Sequence, residues 1–285
     1  MKGIILAGGS GTRLNPLTSV VSKQLLPVFD KPLVYYPLST LISMGISEIL
    51  IISSPKQISS FTSLLGNGSR IGIDISYATQ DQPKGIAEAL IIGEDFIEGD
   101  NCALILGDNI FISDILTPQL VRNFVSGAHI FTTAVEDPYR YGVLREENGQ
   151  PAQIIEKPDS FVSNQAVTGL YFYDEDAVEM CKNLTPSKRN ELEITELNQL
   201  YLVDKKLRAT HLGNSAIWMD AGTFDSLQDS SNCISSMQKR LGKPVGSPEY
   251  SSFIAGFISK EAILEDLSTC PTNDYYSLLK KSIND

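Results

Sequence analysis

In the first half of the chain, short apolar runs alternate with longer amphipathic stretches. The runs have the length and uniform hydrophobicity of strands buried on both faces of a parallel sheet: Ile4–Ala7, Ile49–Ile52, Ile73–Tyr77 and Ala103–Leu106. The stretches between them repeat apolar residues with helical spacing: Leu38–Met44, Ile58–Leu65 and Ile86–Phe96. This order predicts an α/β fold with a doubly wound sheet and helices on both faces. Ligands of such sheets bind beyond the carboxyl ends of the strands.

After residue 127 the predicted strands lie closer together. They are His129–Val135, Tyr141–Glu146, Ala152–Glu156, Val167–Tyr173 and Leu207–Leu212. Helical spacing recurs in Glu175–Asn183, in Glu193–Val203 and from about Thr223 to Arg240. The segment Leu241–Pro248 carries two Gly and two Pro and is typical of a linker. The remaining residues end in an amphipathic stretch, Tyr275–Ile283.

The charge balance excludes some partners. Lys and Arg total 23 against 34 Asp and Glu, a formal charge of −11, so long-range attraction to nucleic acid or to an anionic membrane is absent. A polyanionic ligand would need local cations and backbone amides. The apolar stretch after Met1 is too short for a signal peptide, and the four cysteines are scattered as reduced thiols are. We therefore expect a cytoplasmic protein.

A glycine-rich loop follows the first predicted strand. Gly8, Gly9 and Gly11 precede Thr12 and Arg13, and Lys23 follows at short range. Glycines let successive backbone N–H groups approach a phosphate. A dinucleotide-binding fingerprint would require a third glycine where Arg13 stands, and the GK[ST] ending of a P-loop is absent. The pattern indicates a different phosphate-binding loop, although an ordinary turn with solvated cations would have the same composition.

Two aspartates each follow a predicted strand. Asp108 lies between Gly107 and Asn109, and Asp220 follows Trp218-Met219. Carboxylates at this edge of a sheet commonly hold Mg²⁺ against phosphates, and two together could share one ion. Alone, the motif around Asp108 is more often a turn, and the motif around Asp220 is also consistent with a helix start that Thr223 caps.

Further polar residues lie at other strand ends. Glu156 and Lys157 could meet sugar hydroxyls and a phosphate, or could form a surface ion pair. Gln80 could bind a base edge, and Gly85 would let the base lie against the backbone. The Gly motifs around Gly142 and Val167 could be bulges.

In this order, the motifs resemble the sugar-1-phosphate nucleotidyltransferase family. The resemblance covers nearly all of the chain to about residue 240, and it rests on the following stretches: GIILAGGSGTRLNPLT (3–18), SKQLLPVFDKPLVYYPLSTLISMGI (22–46), YATQDQPKGIAEAL (77–90), LGDNIF (106–111), VEDPYRYGVL (135–144), EKPDS (156–160), AVTGLYFYD (166–174), EITELNQLYL (193–202) and WMDAGTFDSL (218–227). The similarity is to those members that transfer a thymidylyl group from dTTP to glucose 1-phosphate, the first step of deoxysugar pathways such as dTDP-rhamnose synthesis.

The resemblance implies a fold and a domain organisation. The fold is Rossmann-like, with a mixed but mainly parallel doubly wound sheet, a smaller sugar-binding β region and a C-terminal helical segment. The catalytic domain would span residues 1–240, with a nucleotide-binding part at about 1–127 and a sugar-binding part at about 128–222. Residues 241–285 would form an interface or regulatory segment, and the protein would be a homotetramer.

The resemblance also implies roles for individual residues, with Mg²⁺ as cofactor. Arg13, Lys23 and Lys157 would be catalytic. The nucleotide would bind to Gly8, Gly9, Gly11, Thr12, Arg13, Lys23, Gln24, Gln80, Gly85 and Asp108. The sugar phosphate would bind to Asn109, Tyr141, Gly142, Glu156, Lys157, Val167 and Trp218. Asp108 and Asp220 would hold the metal.

Other functions remain open at this point. A uridylyl-, cytidylyl- or adenylyltransferase would share the fold and the first loop. A catalytically silent regulatory homologue would have lost Arg13, Lys23 or Asp108, and all three are present. A dinucleotide-dependent oxidoreductase is disfavoured by the missing third glycine. In the tail, Tyr250–Phe253 departs from the family pattern, which leaves binding of a regulatory nucleotide there in doubt.

Overall fold

The computed structural model describes residues 1–9 and 11–285; Ser10, within the glycine loop, lies outside the described residues. The strands are β1 Lys2–Leu6, β2 Pro27–Val28, β3 Lys31–Pro32, β4 Glu48–Ser53, β5 Asp74–Thr79, β6 Cys102–Leu106, β7 Asn109–Ile112, β8 Ala128–Ala134, β9 Gly142–Glu147, β10 Gln150–Glu156, β11 Gln165–Tyr173, β12 Leu207–His211 and β13 Ile217–Asp220. The helices are α1 Tyr35–Ser43, α2 Ile58–Leu65, α3 Glu88–Ile92, α4 Glu94–Ile97, α5 Pro118–Arg122, α6 Asp176–Lys182, α7 Ile194–Val203, α8 Phe224–Leu241, α9 Pro248–Ala255, α10 Lys260–Ser268 and α11 Asp274–Asn284.

Strands β5, β4, β1 and β6 lie side by side and all run parallel. The chain builds outward from β1 through β4 to β5, then returns to place β6 on the other side of β1. Alternate residues of each strand enter separate cores on the two faces, as Ile4 and Ile5 do. The doubly wound α/β fold is therefore confirmed, and its switch point lies between β1 and β6.

The second half of the chain extends the same sheet. Strand β11 pairs antiparallel with β6, and β9, β10, β8 and β12 continue from it to complete nine strands. The predicted nucleotide-binding and sugar-binding parts thus share one sheet, and the boundary between them stays a prediction.

One predicted helix is divided. The stretch Ile86–Phe96 forms α3 and α4, which meet at Gly93. A Cβ at Gly93 would lie 2.9 Å from Cδ1 of Ile4, so a glycine lets this turn pack directly on the sheet. Glycine is also the weakest helix former after proline, which favours a break at this position. The apolar residues keep their helical spacing across Gly93, so the sequence pattern did not predict the break.

A small second sheet, which the sequence did not reveal, joins β7 to β13. The two strands are antiparallel, and Asp220 stands opposite Asn109. The backbone N–H of Ala221 also donates to the carbonyl of Asp108 at 3.1 Å. This pairing brings the ends of two distant motifs together.

The C-terminal helices pack on the chain's own core. Helix α9 lies against α1, and Phe257 joins the core on that face of the sheet. Helices α10 and α11 form a separate small core around Leu267 and Leu279. Arg70 holds this unit through two hydrogen bonds to Asp266, at 2.8 and 2.7 Å. Within the described ranges, no helix is long and apolar enough to cross a membrane.

Candidate active site

The loops after β1 and β6 meet at the switch point of the sheet. The N–H of Gly107 donates to the carbonyl of Leu6 at 2.9 Å. A Cβ at Gly107 would lie 3.0 Å from that same oxygen and 3.1 Å from Cα of Ala7, so the backbones are in direct contact. The sequence Leu106-Gly107-Asp108 therefore places the Asp108 carboxylate beside the glycine loop.

Three adjoining cavities surround these loops. The large cavity, of about 350 Å³, lies between Asp108, Asp220 and Glu156. The second cavity, of about 260 Å³, lies between Gly8, Gln80 and Gly85, and the third, of about 250 Å³, lies beyond the glycine loop. Every site residue predicted from the sequence lines at least one of the three.

Two carboxylates and three cations meet in the large cavity. Lys23 forms an ion pair with Asp108, and an Arg140 Nη lies 3.7 Å from Oδ2 of Asp220. Burial and then the neighbouring charge of Asp108 raise the pKa of Asp220, whereas Lys23, Arg140 and Arg13 act in the opposite direction. Two partly desolvated negative charges are thus held close together, with cations around them.

This carboxylate pair fits a divalent cation. Carboxylate oxygens are the donors that hard cations such as Mg²⁺ prefer, and such ions usually complete their coordination with water and ligand phosphates. Among the described residues, no group of three or more His, Cys, Asp or Glu side chains is arranged so that it could hold a metal ion, so the ion would depend on ligand oxygens for the rest of its coordination. A cation would also relieve the repulsion between the two carboxylates, which adds to the effect of burial in raising the pKa of Asp220.

Asn109 supports this pair from the wall of the cavity. Its Nδ2 donates to Oδ1 of Asp108 at 3.1 Å. Its Oδ1 accepts from the indole N–H of Trp218 at 2.7 Å and from the backbone N–H of Gly169 at 3.1 Å. These bonds hold the Asp108 side chain in one orientation across the β7–β13 junction. The sugar-binding roles proposed for Asn109 and Trp218 stay predictions.

The opposite wall is organised around Glu156. Its Oε2 accepts from the Thr195 hydroxyl at 2.8 Å, and its Oε1 lies 3.2 Å from Nζ of Lys157. A Cβ at Gly142 would lie 3.2 Å from Oε2, so a side chain there would crowd the carboxylate. Lys157 has φ of 44°, a left-handed conformation that is costly for a residue with a side chain. The ligand-binding role of Lys157 stays a prediction.

Part of the wall of the second cavity is backbone, at Gly85. Gly85 has φ of 107°, and a Cβ there would lie 2.3 Å from the carbonyl of Leu192. Gln24 closes the cavity near the glycine loop, where its Nε2 donates to the carbonyl of Gly8 at 3.1 Å. Gln24 and Gln80 are both buried. The cavity is therefore narrow, and both amides are held in place.

Sequence reasoning missed several residues that line these cavities. They include Arg140, Arg189, Ile194 and Thr195. Arg140 directly precedes Tyr141, and its guanidinium lies 5.4 Å above that ring. Arg189 contacts Glu193 at 2.9 Å and lies 3.7 Å from Glu156. All four lie in or beside the motifs quoted above, and this proximity is the feature of the sequence that could have identified them.

Comparison with known proteins identifies the family of this chain. The Nucleotidyl transferase family model matches residues 2–236. The chain belongs to the nucleotidyl transferase family. A glucose-1-phosphate thymidylyltransferase of Mycolicibacterium smegmatis is 49% identical over 265 residues, which cover 92% of each chain. One of Neisseria meningitidis is 48% identical and covers 99% of this chain and 100% of its own.

A solved structure supports the same membership of the family. It is a Bacillus anthracis protein assigned as a glucose-1-phosphate thymidylyltransferase, crystallised with a sucrose. It superposes with a TM-score of 0.77 at 42% identity and covers 82% of this chain and 94% of its own. The family and fold expected from the motifs are therefore confirmed.

Proposed function

We propose that this protein transfers a thymidylyl group from dTTP to α-D-glucose 1-phosphate, giving dTDP-glucose and pyrophosphate. The observation that carries the proposal is the large cavity. It joins the glycine loop, two aspartates and three cations to a wall with Glu156 and Lys157. The relatives named above are thymidylyltransferases over nearly their whole length. A regulatory homologue or an oxidoreductase would not need this arrangement.

The reaction requires no nucleophile from the protein. A phosphate oxygen of glucose 1-phosphate forms a bond to the α-phosphorus of dTTP, and the bond to pyrophosphate breaks in line. The chain's task is to bring two polyanions together and to stabilise the charge that moves to the leaving group. Arg13 and Lys23, beside the glycine loop, would hold the triphosphate and then the pyrophosphate. Lys157, across the cavity, would hold the sugar phosphate.

Asp108 and Asp220 are the residues that would hold Mg²⁺. When bound, the ion would neutralise phosphate charge and polarise the reacting phosphoryl group. Lys23, which pairs with Asp108, would then be available to the phosphates. The overall charge of −11 does not oppose substrate binding, because these cations act at contact distance, inside a Debye length of about 8 Å.

A pyrophosphate-release assay tests this function. With glucose 1-phosphate present, dTTP should give rapid pyrophosphate release that depends on a divalent cation. UTP is the nearest alternative substrate, because uracil lacks only the 5-methyl group of thymine. A methyl group is worth about 1–3 kcal/mol in a pocket, so dUTP, which lacks only that group of dTTP, should be turned over about 10- to 200-fold more slowly. Faster turnover with UTP would favour a uridylyltransferase.

We expect Lys157→Ala to raise the KM for glucose 1-phosphate by about tenfold or more, since a charge-assisted hydrogen bond contributes about 1.5–3 kcal/mol. The KM for dTTP should change much less. Steady-state kinetics with each substrate varied in turn measures both values. Lys205→Ala is a matched control, because Lys205 is exposed and also left-handed, with φ of 58°. A rise only in the KM for dTTP would refute the assignment.

We also propose a homotetramer in which the C-terminal helices contribute to an interface. Packing on the chain's own core accounts for Phe257, but Ile254 on α9 remains 66% exposed. Light scattering on the intact protein should give a mass near four times 31.2 kDa. A fully active monomer at micromolar concentration would show that assembly is not required for function.

A further inference from the structure

Gln80 is a buried amide on the wall of the second cavity. Only 5% of the residue is exposed, and its backbone is fixed at the end of β5 by a hydrogen bond to Ser53. Its Nε2 donates to Oε2 of Glu88 at 2.7 Å and to the carbonyl of Gly85 at 3.3 Å. Glu88 begins helix α3, where a negative charge is favourable.

These two partners determine which way the amide faces. A carboxylate and a backbone carbonyl can only accept hydrogen bonds, so both must meet the NH₂ side of Gln80. Its two hydrogens are then used, and Oε1 must face the other way. That oxygen lies over the glycine loop, 2.9 Å from where a Cβ at Gly8 would stand. Within residues 1–9 and 11–285, it accepts no hydrogen bond from a side chain.

Oε1 of Gln80 is therefore the acceptor that the side chain can offer at the second cavity, because both hydrogens of the same amide are already used. Thymine and uracil carry a hydrogen on ring nitrogen N3, whereas cytosine carries a lone pair there. A base with N3–H satisfies Oε1 of Gln80. Cytosine would bring a lone pair against it and would cover the oxygen without supplying a donor, which is costly. Reversal of the amide would admit cytosine, but it would point oxygen at the oxygens of Glu88 and Gly85.

We propose that Glu88 is a positioning residue that holds the Gln80 amide with its acceptor toward the nucleobase, and so selects thymine and uracil over cytosine. The proposal rests on the proposed function, because it takes the second cavity as the base site. It also implies that Gln80 does not separate thymine from uracil nucleotides, since both have N3–H. Selection between those two must come from contacts with the 5-methyl group.

Glu88→Met and Glu88→Gln form a matched pair that tests this role. Methionine has a similar length but cannot accept the bond, whereas glutamine retains an acceptor oxygen. In Glu88→Met, the ratio of kcat/KM for dTTP to that for dCTP should fall about tenfold, the effect of losing one buried hydrogen bond. The change should lie in KM, with kcat nearly constant. Glu88→Gln should stay close to the wild-type ratio.

The role of Gln80 as intermediary can be tested separately. In a Gln80→Met background, Glu88→Met should no longer alter the ratio, because no amide is left to orient. An unchanged ratio in a folded Glu88→Met variant, or the same tenfold fall in both backgrounds, would overturn the proposal. Thermal melting shows whether each variant is folded.

Calorimetric binding of dTDP and dCDP gives a readout that does not depend on turnover. Wild-type protein should bind dTDP more tightly, and Glu88→Met should reduce that preference about tenfold. Equal binding of the two nucleotides by the wild type would refute the proposal. Failure of the wild type to release pyrophosphate from dTTP would instead refute the proposed function, and the binding preference would still test the role of Glu88.

Discussion

Asp108→Asn and Asp220→Asn should each reduce metal-dependent turnover by about a hundredfold or more. The amide keeps the size and one oxygen of the carboxylate, but it lacks the charge that a divalent cation requires. Charge stabilisation by a bound metal contributes several kcal/mol to phosphoryl transfer, and about 2.7 kcal/mol corresponds to a hundredfold change in rate. The fold should survive, because both side chains are partly exposed at the cavity.

Pyrophosphate release measured across a range of Mg²⁺ concentrations tests this expectation. Asp225→Asn is a suitable control, because Asp225 is exposed in the first turn of α8 and lines none of the three cavities. The control should behave as wild type. If either active-site variant keeps near-normal activity when Mg²⁺ is limiting, that residue does not belong to the metal site.

Lys23→Ala and Arg13→Ala should each lower kcat by two orders of magnitude or more, roughly the effect of removing one preorganised donor from a site of developing charge. Both residues line the large cavity beside the glycine loop. Pyrophosphate gains charge as it leaves, so its cations act more strongly in the transition state than in the ground state. Lys23→Ala also leaves Asp108 without its ion-pair partner.

The matched controls for these variants are Lys239→Ala and Arg240→Ala. Both residues are exposed in the last turn of α8, far along the chain from the glycine loop. Their loss should leave kcat unchanged. A change in KM for dTTP alone in Lys23→Ala, without a loss of kcat, would assign Lys23 to ground-state binding and would contradict the catalytic role.

The parallel part of the fold was predictable because each buried strand is marked by a short apolar run in its own sequence. The buried part of a strand that is covered on both faces must be apolar, and Ile4–Leu6 in β1, Ile49–Ile52 in β4 and the whole of β6 satisfy that condition. Helix α2 was predicted with its observed bounds, since its apolar spacing is regular. The Thr223 cap at the start of α8 was also anticipated, and it forms a full capping box with Ser226.

The pairing of β7 with β13 could not be predicted from local pattern. Both strands are four residues long, and neither carries a signal for its partner. Consequently the sequence could suggest that Asp108 and Asp220 share a metal, but not how they meet. Arg140 was missed for a related reason, because its proximity to Asp220 exists only once β13 is in place. Long-range contacts of this kind carry no periodicity.

The β7–β13 pairing also has a consequence for synthesis of the protein. A nascent chain that has not reached β13 already contains the glycine loop, Lys23 and Asp108, but it lacks Asp220. In that fragment Lys23 would neutralise the only carboxylate of the pair. The proposed metal site would therefore be assembled late, after all nine strands of the central sheet have been translated, and a nascent chain that ends before β13 would lack one of its two proposed ligands.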